Sequence, residues 1–387
     1  MSARASVTLA PPAGGRVDVL IVAGEHSGDE HAARMVRELR AAHPGIAVAA
    51  LGGPQLAAAG AQLLHDMTAS SVVGLVEVLK NYGFFKALFE ATLGWIAAHR
   101  PRAVCFVDYP GMNLRLAAAL RERGLSAKGG GAIRTLFYIS PQIWAWKAGR
   151  RFTMARDLDA LATIFPFEPA CYADTTLSAE FVGHPFVAPD YAPPVRQTAD
   201  GPVLLLPGSR KQAVGRIFPA LLDGFAAHGA RAATVLYPSD DILAVLETEM
   251  RKPARAALRG RVELQRTGTV VEAAAVLTSS GTMSMHCALA AIPGAIAYRA
   301  NPLTYVLGKM LVKIEYLGIA NLLLGEPMYP EYLQGAASPA ALAEELRCSL
   351  DDPARRERTA AQAARLRALL SVPASGTAAG WLARQLG

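Results

Sequence analysis

The sequence predicts an α/β fold of two doubly wound parallel sheets, one in each half of the chain, facing a cleft. Short apolar strands alternate with helical segments over residues 17–185, and a second such series begins at residue 203. Helices between buried strands are typical of parallel crossovers. Between the two series, VAPDYAPPVRQTADGP (187–202) contains four prolines and no periodicity. This composition indicates a linker, and ligands commonly bind in the cleft between two such halves.

The strands and helices are predicted from apolar runs bounded by glycine, proline and polar residues. In the first half the predicted strands are VDVLIVAG (17–24), AVAALGG, AVCFVD, TLFYIS (135–140), LDALATIF (158–165) and the neighbourhood of FVGHP (181–185). Helices are expected after the first strand, to about residue 40, and at LAAALRERG. In the second half the strands are VLLLPGSR (203–210), ATVLYP (233–238), AVLTSSG and GAIAYRA, with a helix over 214–228.

The predicted organisation is a disordered extension (1–16), a first domain (17–190), a second domain (191–345) and terminal helices (346–387). The extension lacks the continuous apolar core of a signal peptide, and no apolar run reaches the length of a membrane-spanning helix. The chain is therefore expected to be soluble or to lie on a membrane without crossing it.

Composition narrows the class of partner. The formal net charge of +7 favours anionic partners, but there is neither a long basic run nor an aromatic–basic RNA-binding pattern, so nucleic acid is not expected. The four cysteines form no CxxC pair, which excludes the usual zinc and disulfide frameworks and fits a reducing cytoplasm.

Asp108 is the first candidate catalytic residue. It ends the buried strand of AVCFVDYPG (103–111) and is followed by a Pro110-Gly111 turn. The carboxyl ends of parallel strands line the ligand crevice, so this acid is suited to act as a tethered base. The alternative is a turn or helix-capping residue.

The loop AGEHSGD (23–29) follows a strand and opens a helix. Ser27 or Asp29 can cap that helix, whereas the acids Glu25 and Asp29 would repel a pyrophosphate. The spacing is not that of a dinucleotide-binding GxGxxG loop. We therefore expect a polar substrate loop.

Two glycine-containing loops in the second half indicate a phosphorylated ligand, most simply a nucleotide. LLLPGSRK (204–211) carries Gly208, Ser209 and Arg210 from a buried strand into a helix, and SSGTMSMH (279–286) places Gly281 and Thr282 at a second helix start. Helix starts and arginine both favour phosphate. The alternatives are an ordinary turn with a solvated arginine and a capped helix.

Two aromatic stretches indicate sugar, lipid or membrane contacts. ISPQIWAWKAGRR (139–151) places Trp144 and a second tryptophan beside three cations, an arrangement able to hold sugars or lipid phosphates, with core packing as the alternative. The stretch 71–96 is an amphipathic helix that either packs on a core or docks on a membrane. Its proposed membrane-facing residues are Val72, Val73, Leu75, Val78, Leu79, Phe84, Phe85 and Phe89.

Taken in chain order, the motifs resemble one family, the lipid-A-disaccharide synthases, which are two-domain glycosyltransferases of GT-B type. The matching strings run from about residue 20 to residue 335. They are AGEHSGD, LGGPQLAAAG, VVGLVEVL, VDYPGMNLRLA, ISPQIWAWK, FPFE, FVGHP, LLPGSR, SSGT, YRANPLTYVLGKMLVK, NLLLGE and YLQ. Each string alone is a weak signal, but the ordered set is highly specific.

The resemblance implies a GT-B fold of two Rossmann-like domains. The implied reaction moves 2,3-diacylglucosamine from UDP-2,3-diacylglucosamine to the 6-hydroxyl of 2,3-diacylglucosamine 1-phosphate, with inversion and without a metal or other cofactor. The products are the β-1,6 lipid A disaccharide 1-phosphate and UDP. The resemblance also implies a cytoplasmic enzyme, peripheral on the inner face of the membrane. Its terminal helices would cross back to the first domain or be exchanged in a homodimer.

The resemblance assigns roles to individual residues. Asp108 corresponds to the base that deprotonates the acceptor hydroxyl. The implied acceptor-side residues are Glu25, Ser27, Asp29, Asn113 and Trp144. The implied UDP-binding residues are Gly208, Ser209, Arg210, Gly281, Thr282, His286, Asn321 and Gln334.

Two departures from the family pattern leave alternatives open. His286 stands where the family usually has a ribose-binding glutamate, and Gly111 and Met112 replace an Asp-Phe pair between Asp108 and Asn113. A related GT-B transferase using another UDP-sugar and lipid acceptor, or a non-catalytic nucleotide- or lipid-binding relative, fits the same motifs. The sequence also leaves open whether Glu25 or Asp29 assists the base.

Overall fold

The computed structural model describes residues 7–68, 82–229, 232–300 and 315–387. The chain divides into two compact units, Met1–Pro185 with Val372–Gly387, and Phe186–Ser371. Each unit contains its own parallel sheet with helices between the strands, which confirms the predicted α/β class.

The first unit is built on a parallel sheet. Its described strands are β1 (Val19–Ala23), β2 (Val48–Gly52), β3 (Gln62–Asp66), β4 (Ala103–Val107), β5 (Arg134–Tyr138), β6 (Ala160–Thr163) and β7 (Ser178–Phe181). Their spatial order is β3-β2-β1-β4-β5-β6-β7. Since β1 pairs with both β2 and β4, the order reverses between β1 and β4. In open α/β sheets the crevice at such a reversal is the usual ligand site.

The second unit repeats this plan. Its described strands are β8 (Val195–Gln197), β9 (Val203–Leu206), β10 (Ala233–Tyr237), β11 (Val262–Arg266), β12 (Val271–Ala273), β13 (Ala275–Thr278), β14 (Gly294–Tyr298) and β15 (Glu331–Leu333). Six of them form a sheet in the order β11-β10-β9-β13-β14-β15, and β12 pairs with β8. Here the order reverses between β9 and β13.

Helices follow most strands, as the alternating pattern predicts. In chain order the described α-helices are α1 (His26–Ala42), α2 (Pro54–Ala58), α3 (Tyr82–His99), α4 (Pro110–Glu122), α5 (Arg150–Asp157), α6 (Lys211–His228), α7 (Asp240–Met250), α8 (Thr282–Leu289), α9 (Ile319–Leu324), α10 (Pro339–Asp351), α11 (Pro353–Leu370) and α12 (Ala378–Leu386). Short 3₁₀ turns lie at Ala127–Gly129, Glu168–Tyr172, Pro185–Val187, Pro253–Leu258 and Gln334–Ala336.

The central strands are wholly apolar because helices cover both faces of a parallel sheet. All five residues of β1 and all five of β4 are inaccessible to solvent. Burial of a large apolar side chain contributes about 1.5–3 kcal/mol, so these strands hold the adjoining loops on a rigid base.

The N-terminal segment differs from the predicted disorder of residues 1–16. Residues 7–16 are part of the first unit, and the Trp95 indole nitrogen donates to the Ala10 carbonyl at 2.8 Å. The Ala13 amide donates to Gln62 Oε1 at 2.8 Å, and Val7 packs against the core. This segment has no periodic pattern of its own, and its order comes from contacts with residues more than 40 positions away.

The end of the chain returns to the first unit. Helix α12 packs against α1, and Trp381 is fully buried. The Arg102 guanidinium donates to the backbone carbonyls of Leu386 and Gly387. The proline-rich stretch 187–202, by contrast, lies within the second unit and supplies strand β8.

Candidate active site

The loops after β1 and β4 touch each other at the reversal of the first sheet. Gly24 is the first residue after β1, and a Cβ atom at this position would overlap the ring of Tyr109, which lies in the loop after β4. Glycine is therefore required at position 24 for the two loops to approach. The contact places Asp108 and the Glu25–Asp29 segment at the same edge of the sheet.

Asp108 lies in a strained turn. Its φ is 46° and that of Tyr109 is 50°, both in the left-handed region that non-glycine residues seldom adopt. The Asp108 amide donates to the Tyr138 carbonyl at 2.9 Å, which ties the turn to β5. Tyr109, not Asp108, is the N-cap residue of α4. Backbone strain of this kind is concentrated at functional sites, where the surrounding structure maintains it.

Asn113 is hydrogen-bonded to the backbone of the Asp108 turn. It is fully buried, and its Nδ2 atom donates to the carbonyls of Asp108 (2.7 Å), Val22 (3.2 Å) and Val107 (3.4 Å). Its Oδ1 atom has no hydrogen-bond partner among the described residues. Asn113 therefore positions the ends of β1 and β4 relative to the Asp108 turn rather than presenting its amide to solvent.

Asp29 performs a structural task in the neighbouring helix. Its carboxylate is buried and accepts hydrogen bonds from the amides of Gly53 (2.8 Å), Gln55 (2.9 Å) and Leu56 (3.1 Å). It therefore caps α2 rather than its own helix α1. A Cβ at Gly53 would lie 2.5 Å from Asp29 Oδ2, which explains the second glycine of LGGPQ.

The other two acceptor-loop candidates are more accessible. Glu25 is the N-cap residue of α1, and Ser27 lies in the first turn of the same helix. Both side chains are half-buried. Of the polar residues predicted in this loop, these two have side chains that solvent can reach, whereas Asp29 is buried.

Trp144 follows β5 and belongs to an aromatic cluster with a buried acid. Its indole nitrogen donates to Glu168 Oε1 at 3.3 Å, and its ring meets Phe167 edge-on at 5.3 Å between centroids. Burial raises the pKa of Glu168 to about 7, against the opposing effect of hydrogen bonds from the Phe165 and Ile164 amides and from Trp144. Sequence reasoning assigned no role to Glu168, although an acid inside the apolar string FPFE was a signal for it.

In the second unit, the two predicted phosphate loops also meet at a sheet reversal. Gly208 follows β9 with a φ of 106°, and a Cβ there would lie 3.2 Å from Ser279 Oγ, which follows β13. Ser209 and Arg210 are exposed, and Arg210 is the N-cap residue of α6. Gly281 and Thr282 are exposed at the start of α8. The predicted loops therefore present two helix starts and a guanidinium at one edge of this sheet.

His286 is buried among aromatic side chains on α8. Its ring lies 4.0 Å from that of Phe186 between centroids, and Nδ1 is hydrogen-bonded to the Tyr191 hydroxyl. The imidazole is 7% exposed. Sequence reasoning placed Tyr191 in the linker and missed this pairing, because neither residue lies near the other in the chain.

Asn321 and Gln334 occupy different environments. Asn321 is fully buried and makes reciprocal hydrogen bonds with the Tyr329 backbone, at 2.7 and 2.9 Å. It also donates to Glu331 Oε1 at 2.9 Å. Gln334 follows β15 with a φ of 53° and donates to the Ala300 carbonyl at 3.3 Å. Asn321 therefore orders the segment before β15, whereas Gln334 lies at its carboxyl end.

The predicted membrane helix is only partly within the described residues. Val72, Val73, Leu75, Val78 and Leu79 lie outside them. Phe84, Phe85 and Phe89 are half-buried on α3, and Phe84 and Phe89 pack against the core of the first unit. Of the helices that the structure describes, none is both long enough and apolar enough to span a bilayer.

The described residues contain no candidate metal site either. Within them, no group of three His, Cys, Asp or Glu side chains is arranged to hold a metal ion.

Comparison with known proteins gives consistent matches along the chain. A family model described as lipid-A-disaccharide synthetase matches residues 19–379. The lipid-A-disaccharide synthase of Geobacter sulfurreducens is 34% identical over 359 residues, which cover 89% of this chain and 90% of that protein. The lipid-A-disaccharide synthase of Anaeromyxobacter sp. (strain K) is 38% identical over 368 residues, covering 92% and 94%.

Solved structures agree at the level of the fold. The calicheamicin glycosyltransferase CalG4 matches with a TM-score of 0.54 and 15% identity, covering 96% of this chain and 99% of that one. This likeness and the two sheets confirm the GT-B fold. The chain belongs to the lipid-A-disaccharide synthase family and is a glycosyltransferase of lipid A synthesis.

Proposed function

We propose that this enzyme transfers 2,3-diacylglucosamine from UDP-2,3-diacylglucosamine to the 6-hydroxyl of 2,3-diacylglucosamine 1-phosphate, with Asp108 as the general base. The observation that carries the base assignment is the position of Asp108. It lies in a left-handed turn at the carboxyl end of β4, beside the β1 loop and at the reversal of the strand order. Family membership supports the reaction.

In the proposed step, the Asp108 carboxylate accepts the proton of the acceptor 6-hydroxyl. The oxygen attacks the anomeric carbon of the donor sugar from the side opposite UDP. The bond from that carbon to the phosphate oxygen breaks, and its electron pair leaves with UDP, so the configuration inverts. A positioned base is worth about 10²- to 10⁴-fold in rate.

The second unit is proposed to hold the UDP portion. The loop amides near Gly208, the exposed Arg210 and the start of α8 at Gly281 and Thr282 all favour a diphosphate. These groups would stabilise the negative charge that develops on UDP as it leaves. The proposal assigns this stabilisation to the protein, not to a metal ion or other cofactor.

His286 is proposed to lie near the ribose, with Tyr191 fixing its ring. The Tyr191 hydroxyl is hydrogen-bonded to Nδ1 and so orients the imidazole, a group that can exchange hydrogen bonds with hydroxyl groups such as those of a ribose. The direction of the Tyr191 hydrogen bond then decides whether Nε2 donates or accepts. This arrangement supports the UDP-diacylglucosamine reaction despite the departure from glutamate.

The membrane partner follows from the substrates. Donor and acceptor both carry acyl chains, so we propose that the enzyme works as a peripheral protein on the inner face of the cytoplasmic membrane. The proposed docking residues of the stretch 71–96 remain a prediction.

The test is an in vitro assay with both proposed substrates, following disaccharide and UDP by mass spectrometry. Wild-type protein should form both products in equal amounts, and Asp108→Asn should lower the rate at least about 100-fold while remaining folded. Glu122→Gln, an exposed carboxylate at the far end of α4, is the matched control and should keep the wild-type rate. No product from folded wild-type protein would refute the reaction, and full activity of Asp108→Asn would refute the base assignment.

A further inference from the structure

The first unit exposes aromatic side chains close to cations after β5 and β6. Three of the six large hydrophobic side chains that are exposed in the described residues lie here: Trp146 (38% exposed), Phe152 (52%) and Phe167 (38%). All three are aromatic and lie within 22 positions of sequence. Together with Lys147, Arg150 and Arg151 they form what we call the aromatic–cationic surface.

Ring–cation contacts link two groups of residues within this surface. Lys147 Nζ lies 4.5 Å from the Trp146 ring centroid, and Arg150 Cζ lies 5.5 Å from it. Arg151 Cζ lies 4.2 Å from the Phe152 centroid. Lys147 has a left-handed backbone φ of 53°, and its side-chain amine lies over the indole of the preceding residue, Trp146.

The charge of this surface is positive. Arg151 is paired with Asp174 at 2.6 Å. Lys147 and Arg150, however, make no ion pair with any residue that the structure describes. Exposed ring–cation contacts contribute only about 0.5–1 kcal/mol, so they account poorly for the exposure of Trp146 and Phe152 and for two cations without an ion pair. A partner that is both apolar and anionic would satisfy both features.

The surface is on the same edge of the sheet as the proposed base. Trp146 and Lys147 lie in the loop after β5, and Phe167 lies in the loop after β6. Asp108 follows β4, which pairs with β5 in parallel. A membrane contacting this edge would lie on the side where an acyl-chain acceptor must reach Asp108.

We infer that the aromatic–cationic surface docks on a bilayer containing anionic phospholipids. Tryptophan and phenylalanine rings occupy the headgroup boundary, and lysine and arginine pair with lipid phosphates there. This inference rests on the proposed function, because it assumes that the acceptor is drawn from the membrane. It is independent of the stretch 71–96, since it uses other residues on other elements.

The test is co-sedimentation with vesicles of phosphatidylglycerol and phosphatidylethanolamine, compared with vesicles of phosphatidylcholine. Wild-type protein should prefer the anionic vesicles, and the preference should fall as salt rises. Each cation near an anionic surface is worth about fivefold in binding. Lys147→Gln/Arg150→Gln should therefore bind at least about tenfold more weakly, and Trp146→Ser/Phe152→Ser should lose a similar factor.

Matched controls exist at the opposite edge of the same sheet. Arg100 precedes β4 and Lys128 precedes β5, and both are exposed without an ion pair among the described residues. Arg100→Gln/Lys128→Gln removes the same charge and should bind like wild type. If it weakens binding as much as Lys147→Gln/Arg150→Gln, overall charge explains the binding and the inference is wrong.

Two further readouts separate the inference from the function. With detergent-dispersed substrates, Phe152→Ser should transfer sugar at the wild-type rate, because Phe152 lies outside the stretch 139–151 that was predicted to hold sugars or lipid phosphates. A wild type that makes no disaccharide refutes the function itself. Active wild type with docking variants that sediment unchanged refutes only the docking surface. Brominated phospholipid should also quench wild-type tryptophan fluorescence, and Trp146→Phe should remove most of that quenching. Quenching that persists in Trp146→Phe would place the membrane contact elsewhere.

Discussion

The carboxamide nitrogen of Asn113 lies 2.7 Å from the backbone carbonyl oxygen of Asp108, five residues earlier in the chain. The same nitrogen reaches the carbonyls of Val22 at the end of β1 and Val107 at the end of β4. One buried side chain therefore joins the two strands between which the sheet order reverses, and it holds the proposed base in its left-handed turn.

Asn113→Ala should consequently affect both stability and rate. Removing the amide leaves three carbonyls with fewer donors, which should lower the free energy of unfolding by about 1–3 kcal/mol. Loss of the Asp108 turn geometry should lower kcat about 10- to 100-fold, with a smaller effect on KM for the donor. Urea unfolding and steady-state kinetics on the folded protein measure the two effects.

Thr135→Val is the control for this prediction. Thr135 is also fully buried, and its hydroxyl donates to the Asp157 carbonyl at 2.9 Å, near the amino ends of β5 and β6. It should lower stability by a comparable amount without changing kcat. If both variants lose kcat only in proportion to their unfolded fraction, Asn113 does not position the base.

Asp29→Asn should lower stability and spare catalysis. The carboxylate accepts three amide hydrogen bonds at the start of α2, and an asparagine keeps only one of the two accepting oxygens. We expect a loss of about 1–3 kcal/mol in urea unfolding, with kcat unchanged where the protein is folded. Glu25→Gln should show the opposite pattern, with lower kcat and unchanged stability. An Asp29→Asn variant with full stability and reduced kcat would contradict this division of roles.

Gly208→Ala should weaken binding of the donor. The backbone φ of 106° is strained for any residue with a Cβ, and that atom would lie 3.2 Å from Ser279 Oγ. The expected cost in donor-binding free energy is about 1–3 kcal/mol, which should appear mainly as a higher KM for UDP-diacylglucosamine.

Gly215→Ala is the matched control, because Gly215 lies within α6 with nothing within 4 Å of its Cβ position. It should be neutral or slightly stabilising. Equal effects of the two substitutions would mean that the Gly208 conformation does not matter for binding.

The carboxyl ends of β4 and β9 were predictable from the sequence. The strands that precede Asp108 and Gly208 are short apolar runs followed by a polar residue or by Pro-Gly, and the structure ends β4 at Val107 and β9 at Leu206. Local signals suffice in these cases because the parallel strands are buried on both faces and their loops begin where apolar residues stop.

Contacts between distant segments were not predictable. Asp29 was expected to cap its own helix or to assist the base, yet its partners begin 24 residues later, at Gly53. The contacts of His286 with Phe186 and Tyr191 were not foreseen either, because Phe186 and Tyr191 lie about 100 positions earlier in the chain. The pattern of apolar residues indicates whether a segment is a helix or a strand and where that segment ends. The pattern does not indicate which other element packs against the segment.

Glu168→Gln should change how stability depends on pH. Burial raises the pKa of Glu168 from 4.5 to about 7, so the folded chain keeps a proton that the unfolded chain has released. Raising the pH across this window therefore lowers the free energy of unfolding of the wild type, by at most about 3 kcal/mol. Glutamine does not titrate, so the stability of the variant relative to wild type should increase from about pH 4.5 to about pH 7 and then level off.

Urea unfolding of Glu168→Gln and wild type across this pH range tests the prediction. Glu122→Gln is the exposed control, and its stability should depend on pH in the same way as that of wild type. A difference between Glu168→Gln and wild type that is independent of pH would mean that this carboxyl is ionised in the folded chain throughout, with Trp144 and the two amides compensating for its burial.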